Sequence, residues 1–344
     1  MNKKRIFAPI IAIAICLLLI AWTVLALLPK KQLFDGENPL RDEWRAPTII
    51  AHGGGHKEFP DNTLEAFYNA FDASWDVMME TDVSITKDGV VILSHDTTID
   101  RRSNATGKIE DWNYSDLISQ KVDFSYVNQV NSNDEFLGQD EDRIKFTNDE
   151  GKAVLPTDVP GYPDGLPGRD KEVYLATKLE ELITAFPNNV ISVEIKQSGE
   201  TGKKALKEVI ALMEKHDAFE RISVATFHQE IYKEFKEIQK DKKTLMYSPA
   251  VAGVVKYTLL DIFGLGGIYN DRIAVLQIPM SQAGVNLATN SFVQSAHERN
   301  VAVQYWTIDD EDDMRHLVEI NADGITTNYP HKLKAICLEY FADI

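Results

Sequence analysis

The chain has 344 residues, with 53 acidic side chains against 36 basic ones and a formal charge of −17 at pH 7. Hydrophobic residues make up 44% and charged residues 26%, which excludes a disordered or fibrous chain. Residues 1–31 carry Lys3, Lys4, Arg5, Lys30 and Lys31 and no acid, leaving −22 on the remainder. A body that acidic repels nucleic acid and anionic head groups. Two cysteines, Cys16 and Cys337, leave no disulfide framework and no cysteine-based zinc cluster.

From Ile6 to Leu28 no residue is charged. At ~1.5 Å per helical residue this run reaches across a ~30 Å hydrocarbon core. Lys3, Lys4 and Arg5 precede it, so the positive-inside rule keeps the short tail in the cytoplasm and sends the rest across the membrane. The alternative is a signal peptide cleaved after Ala26; the length of the run favours an anchor. The expected organisation is a tail and transmembrane anchor over 1–31, a linker over 32–47, and a single-pass protein with an extracytoplasmic body over 48–344.

In chain order the body alternates short β-rich runs with amphipathic helical patterns. The strands read as Thr48–Ala51, Val77–Val83, Val190–Lys196, Ile222–Thr226, Thr244–Tyr247, Val275–Pro279, Val301–Thr307 and Gly324–Thr327. Helices are expected over Asn62–Ser74, capped by Asp61 or Asn62 with Leu64, Phe67 and Phe71 inward, and over Asp309–Ile320, capped by Asp309 or Asp310 with Met314, Leu317 and Val318 inward. Eight strand–helix units predict an α/β (β/α)8 TIM-type barrel. An acidic, Pro/Gly-rich stretch from about 122 to 172 reads as a loop-rich insertion after strand 2.

Glu80 and Asp82 stand two apart on one strand and therefore face the same way. Asp88-Gly89 between apolar runs predicts a hairpin with a type I′ turn, whose register sets Asp82 across from His95. A buried acidic pair costs several kcal/mol unless neutralised, on the order of what a divalent cation repays. Oxygen ligands suit Mg²⁺ or Ca²⁺. Glu194 and Lys196 end strand 3 on one face, and the rim formed by strand C-termini carries barrel chemistry. His52-Gly53-Gly54-Gly55 ends strand 1, where glycines let backbone N–H groups approach an anion. Trp306, Tyr305, Phe227 and Tyr247 lie at strand ends as candidate pocket aromatics, and the apolar Val251–Tyr269 segment is expected at the same rim, either facing lipid or packed as a helix on the barrel.

These motifs resemble those of the glycerophosphodiester phosphodiesterases. The resemblance runs from Ile49 to Leu333 through His52-Gly53-Gly54, Asp61-Asn62-Thr63, Glu80-Thr81-Asp82, Thr86 to Gly89, His95-Asp96 with Arg101, Glu194-Ile195-Lys196, Trp306-Thr307, Asp323-Gly324-Ile325 and Pro330. It implies metal-dependent cleavage of glycerophosphodiesters, or of lysolipids and lipid-linked glycerophosphate, to glycerol 3-phosphate and an alcohol. Glu80, Asp82 and Glu194 would hold the divalent metal, Ca²⁺ or Mg²⁺. His52 and His95 would be the acid–base pair, with Lys196 stabilising the transition state. Gly53, Asp61, Asn62, Arg101 and Trp306 would line the substrate site. Gly53 stands where the family has arginine and Asp61 where it has glutamate; Asp309 and Asn328 replace its usual Asn and Asp. The alternatives are a phospholipase-type lyase that releases a cyclic phosphate, and a catalytically impaired barrel that binds glycerophosphate.

Overall fold

A computed structural model describes residues 4–41, 46–241, 246–249 and 251–341, with side chains from residue 12 onward except those of Met246 and the candidate aromatic Tyr247. Lys3, Thr244 and linker residues 42–45 lie outside the described residues. The strands are β1 Thr48–His52, β2 Met78–Ile85, β3 Val91–Leu93, β4 Ile191–Ile195, β5 Ile222–Ala225, β6 Met246–Tyr247, β7 Val275–Ile278, β8 Ser281–Gln282, β9 Val285–Asn286, β10 Ala302–Tyr305 and β11 Gly324–Thr327. The main sheet runs β6-β5-β4-β2-β1-β11-β10-β7, with β3 added to β2. Every pairing along that path is parallel. This is the strand order of a TIM-type barrel, and each of the eight runs read from the sequence supplies one of its strands.

The helices are α1 Lys4–Ala26, α2 Leu64–Ala73, α3 Tyr114–Ser119, α4 Leu179–Ala185, α5 Gly199–Lys215, α6 Gln229–Asp241, α7 Val251–Ile262, α8 Asn290–His297, α9 Glu311–Glu319 and α10 Pro330–Tyr340. The cap of α2 is Thr63, whose hydroxyl accepts from the Ala66 N–H; Asp61 and Asn62 point to other work. Leu64 and Phe67 are buried as expected, whereas Phe71 is exposed and meets the Phe186 ring. Asp310 caps α9, and Met314, Leu317 and Val318 face inward.

The hairpin between β2 and β3 differs by one residue from its expected register. Val83 pairs with Leu93 and Ser84 with Ile92, so Ser94 lies opposite Asp82, its N–H donating to the Asp82 carbonyl at 2.8 Å. Gly89 has φ +84°, while Asp88 is not among the positive-φ residues. Its carboxylate accepts from the Thr86 hydroxyl and from the Tyr114 N–H. Those bonds hold Asp88 in a three-residue turn, where a type I′ turn needs positive φ at both central positions. His95 therefore lies beyond the end of β3.

At the opposite end of the strands the chain before β1 closes the barrel. Phe34 and Leu40 pack with Ile50, Met78, Ala274, Val275 and Ala302. Leu33 donates to the Arg299 carbonyl and accepts from the Ile273 N–H, and Asn38 donates to the carbonyls of Ala274 and Asn300. Helix α1 joins the body here, with Trp22 Nε1 donating to the Phe263 carbonyl at 3.0 Å. Its described apolar side chains are exposed, Leu18 by 70%. Among the described residues, however, no helix is long and apolar enough to cross a membrane, so the transmembrane span expected from the sequence is not supported. The Val251–Tyr269 segment forms α7 after β6, with Tyr257 buried and Val251, Val255, Leu259, Ile262 and Phe263 exposed.

Candidate active site

The C-terminal ends of β1, β2 and β4 stand side by side in the sheet, which sets His52 against Glu80 and Asp82 against Glu194. One oxygen from each of Glu80, Asp82 and Glu194 lies within 4.8 Å of the others. Lys196 Nζ sits 3.0 Å from Glu194 Oε1 and 3.4 Å from Asp82 Oδ1. Three carboxylates against one ammonium leave two negative charges. Burial, with Asp82 beside it, pushes Glu80 up to about 7, His52 acting against the rise. Burial also raises Glu194, although Lys196 opposes it. A donor set of oxygens with two unanswered charges in a partly buried place fits a hard divalent cation.

Asn62 fixes this cluster from below. With φ +57°, it accepts from the Thr81 hydroxyl and the Asp82 N–H, and its amide lies 3.2 Å from Asp61 Oδ2 and 3.5 Å from Asp82 Oδ2.

Each histidine is held through Nδ1. For His52 the partner is Asn328 Oδ1 at 2.6 Å, and the Asn328 amide in turn donates to Asp309 Oδ2 at 2.6 Å. Because the amide nitrogen is engaged by Asp309, Oδ1 faces the ring, so Nδ1 carries the proton and Nε2 is left for the site. Burial opposes charging of His52, but Glu80, Asn328, Asp82 and Asp61 together outweigh it and raise its pKa. His95 Nδ1 meets Asp96 Oδ1 at 2.7 Å, and that hydrogen bond leads the rise in its pKa. Asp96 is gripped in a fork by Arg101, through Nε at 2.5 Å and Nη2 at 2.7 Å, while Nη2 also lies 3.1 Å from His95 Nδ1. Asp82 and Lys196 both act electrostatically on His95, which puts it beside the acidic cluster despite the shifted hairpin register.

Asn328→Ala removes the acceptor for His52. That hydrogen bond favours the charged ring, so the His52 pKa should fall in the variant, as read by NMR titration of its imidazole. Asn328→Asp should restore or exceed the wild-type value, and an unchanged pKa in Asn328→Ala would show that Asn328 does not support the ring.

The glycine turn does not form the anion nest expected from its sequence. Gly53 N–H donates to the Glu80 carbonyl and to Glu80 Oε2, Gly54 N–H to the Ala51 carbonyl, and Gly55 N–H to the His52 carbonyl. The glycines are required by close approach instead. A Cβ at Gly54, where φ is +86°, would lie 2.7 Å from that of Ala66. Asp61 is buried and pairs with Arg102, Nε to Oδ1 at 2.8 Å. His56 lies against His52, ring centres 5.0 Å apart, and burial lowers it to about 4, so it is neutral near pH 7.

The sequence profile of the Glycerophosphoryl diester phosphodiesterase family matches residues 52–332. The chain belongs to this family. It is accordingly an enzyme of the phosphodiesterase class. A glycerophosphodiester phosphodiesterase of Caldanaerobacter subterraneus is 25% identical over 287 residues, covering 83% of this chain and 95% of the relative. Human lysophospholipase D GDPD3 is 23% identical, covering 84% and 86%. Among solved structures, a glycerophosphoryl diester phosphodiesterase domain from Mycobacterium tuberculosis aligns with TM-score 0.61 at 16% identity, covering 84% of this chain and 98% of that one. An Oleispira antarctica phosphodiesterase, solved with its product sn-glycerol-3-phosphate, aligns with TM-score 0.56 at 16% identity over 85% and 96%.

Within this phosphodiesterase barrel the residues expected at the site are brought together unevenly. His52, Glu80, Asp82, Asn62, Asp61, Glu194 and Lys196 gather at the ends of β1, β2 and β4, while His95 and Arg101 share Asp96 as a separate bonded trio on which Asp82 and Lys196 act electrostatically. Gly53 contributes backbone only. Trp306, 38% exposed, follows β10 at the same rim. Phe227 is exposed after β5, whereas Tyr305 is fully buried, its hydroxyl donating to the Leu287 carbonyl, and is a core residue. Lys57, on the turn after Gly55, pairs with Asp149. Sequence reasoning missed Asn328 as the partner of His52, and it missed Arg102 and His56 altogether. The adjacency of Arg102 to Arg101 was the available signal.

Proposed function

We propose that the chain hydrolyses glycerophosphodiesters to glycerol 3-phosphate and an alcohol, with His52 and His95 as the acid–base pair. The observation that carries this reading is the pairing of two Nδ1-tethered imidazoles with the Glu80, Asp82 and Glu194 cluster on one rim. Those three carboxylates would hold Ca²⁺ or Mg²⁺, which supplies charge stabilisation to the phosphate oxygens. Asp96 supports the proton on His95 directly, whereas His52 leans first on Glu80, one of the carboxylates committed to the cation, and on a neutral amide. His95 therefore holds the proton and His52 accepts one. His52 Nε2 takes the proton of the glycerol 2-hydroxyl as that oxygen attacks phosphorus, and His95 Nε2 protonates the departing alkoxide. Reversal of the two roles lets water open the cyclic phosphate. Lys196 adds positive charge to the crowded phosphorus centre.

The deciding experiment gives the purified protein glycerophosphocholine and lysophosphatidylcholine, with Ca²⁺, Mg²⁺ or chelator, and reads products by phosphorus NMR. Glycerol 3-phosphate from glycerophosphocholine is expected. Accumulation of a cyclic phosphate would select the lyase, and no product from either substrate would leave only a binding barrel.

We also propose that the body is held outside the cytoplasmic membrane by its charge-free N-terminal run, Ile6 to Leu28. The charge-free run after Lys3, Lys4 and Arg5 and the exposed apolar side chains of α1 support this. The protein should resist alkaline carbonate extraction from membranes and be cleaved by protease added to intact spheroplasts. Release by carbonate would reject the anchor.

A further inference from the structure

The phosphodiester brings a negative charge to a rim already rich in carboxylates, and the turn after His52 offers it neither a side chain nor an uncommitted N–H. The other cations at this rim are engaged. Lys196 bridges Glu194 and Asp82, Arg101 is forked onto Asp96, and Lys57 lies with Asp149. Arg102 differs. Its Nε lies 2.8 Å from Asp61 Oδ1, and no described hydrogen bond uses its terminal nitrogens. Only Nε is among its buried, unbonded atoms, and the side chain retains 16% exposure, so solvent reaches the terminal end. Its place is also fixed relative to the chemistry. A Cβ at Gly53 would lie 3.0 Å from the Asp61 Cβ, and the Asn62 amide joins Asp61 to Asp82. Five carboxylates at this rim (Asp61, Glu80, Asp82, Asp96, Glu194) face three cations, Lys196, Arg101 and Arg102. Loss of Arg102 therefore makes the rim one charge more negative toward an incoming phosphate.

From this geometry we propose that Arg102, steered by Asp61, binds the substrate's phosphate oxygens through its terminal N–H groups, replacing any cation on the His52 turn. The inference rests on the phosphodiesterase reading and names the residue that grips the anion. Guanidinium–phosphate bonds are charge-assisted and often paired, so Arg102→Met should raise KM for glycerophosphocholine about 10- to 100-fold. Binding of glycerol 3-phosphate, read by phosphorus NMR titration, should weaken by a similar factor. Arg102→Lys, which keeps the charge but loses the fork, should fall between wild-type and Arg102→Met in both readouts.

Removing Arg102 also strands a buried carboxylate, so the double variant Asp61→Asn/Arg102→Met separates the two roles. If Arg102 merely neutralises Asp61, the double variant recovers wild-type KM and product binding, and the proposal is overturned. If Arg102 grips phosphate, the double variant stays impaired. Should neither Met variant fold, the lysine variant decides, since unchanged KM and product affinity there also overturn the proposal. An enzyme that cleaves substrate while every Arg102 variant matches wild-type defeats the arginine and leaves the catalysis intact. A wild-type protein that binds glycerol 3-phosphate without cleaving any diester defeats the catalytic reading, and its Arg102 variants still test the grip.

Discussion

Alanine at His52 or at His95 should lower turnover of glycerophosphocholine by about 10²–10⁴-fold, the usual worth of a positioned proton donor or acceptor. The two losses respond differently to the leaving group. An aryl phosphodiester departs as a stable phenolate and needs no proton, so it should restore much of the rate in His95→Ala and little in His52→Ala. Steady-state rates on both substrates measure this. Rescue of His52→Ala instead would exchange the two roles, and near-wild-type turnover in either variant would reject that residue.

Chelation should abolish activity, and Mg²⁺ or Ca²⁺ should restore it and raise the melting temperature. A ligand at a hundred times its Kd stabilises the native state by about 2.7 kcal/mol. The gain depends on pH with a definite sign. Glu80 sits near 7 in the folded protein, above its ordinary value, because burial and Asp82 disfavour its charge. Without a cation, this residue costs stability progressively as pH rises from the ordinary carboxylate range through about 7. A bound cation requires Glu80 ionised, so the increase in melting temperature should be larger at pH 8 than at pH 5. Glu80→Gln should flatten that difference. Identical melting curves with chelator and with excess cation at pH 8 would remove the metal from the account.

What the sequence made legible was whatever depends on pattern alone. Eight apolar runs at barrel spacing became the eight strands, and the i, i+2 spacing of Glu80 and Asp82 put both carboxylates into one cluster. Features that depend on side chains bonding to local backbone were less legible. Asp88 accepts from Thr86 and Tyr114, which turned the expected two-residue loop into three residues and moved the register by one. Thr63 capped α2 because its hydroxyl reaches the Ala66 N–H, leaving Asn62 free to hold Asp82. The three glycines suggested an anion cradle, but their N–H groups all turn inward. Contacts far apart in the chain were beyond reach from sequence. The tether of Asn328 to His52 spans 276 residues, and no spacing rule connects them.

The route by which the chain enters the barrel decides which way the enzyme faces. Leu33, Phe34, Asn38 and Leu40 fill the pole where the strands begin, and the histidines open at the other pole. A molecule tethered by its first residues, whether to a lipid sheet or to a laboratory bead, therefore turns its mouth outward. Diesters arriving from the surrounding fluid or from polymers beyond the tether meet an open entrance, while those embedded beside the tether must first be lifted out.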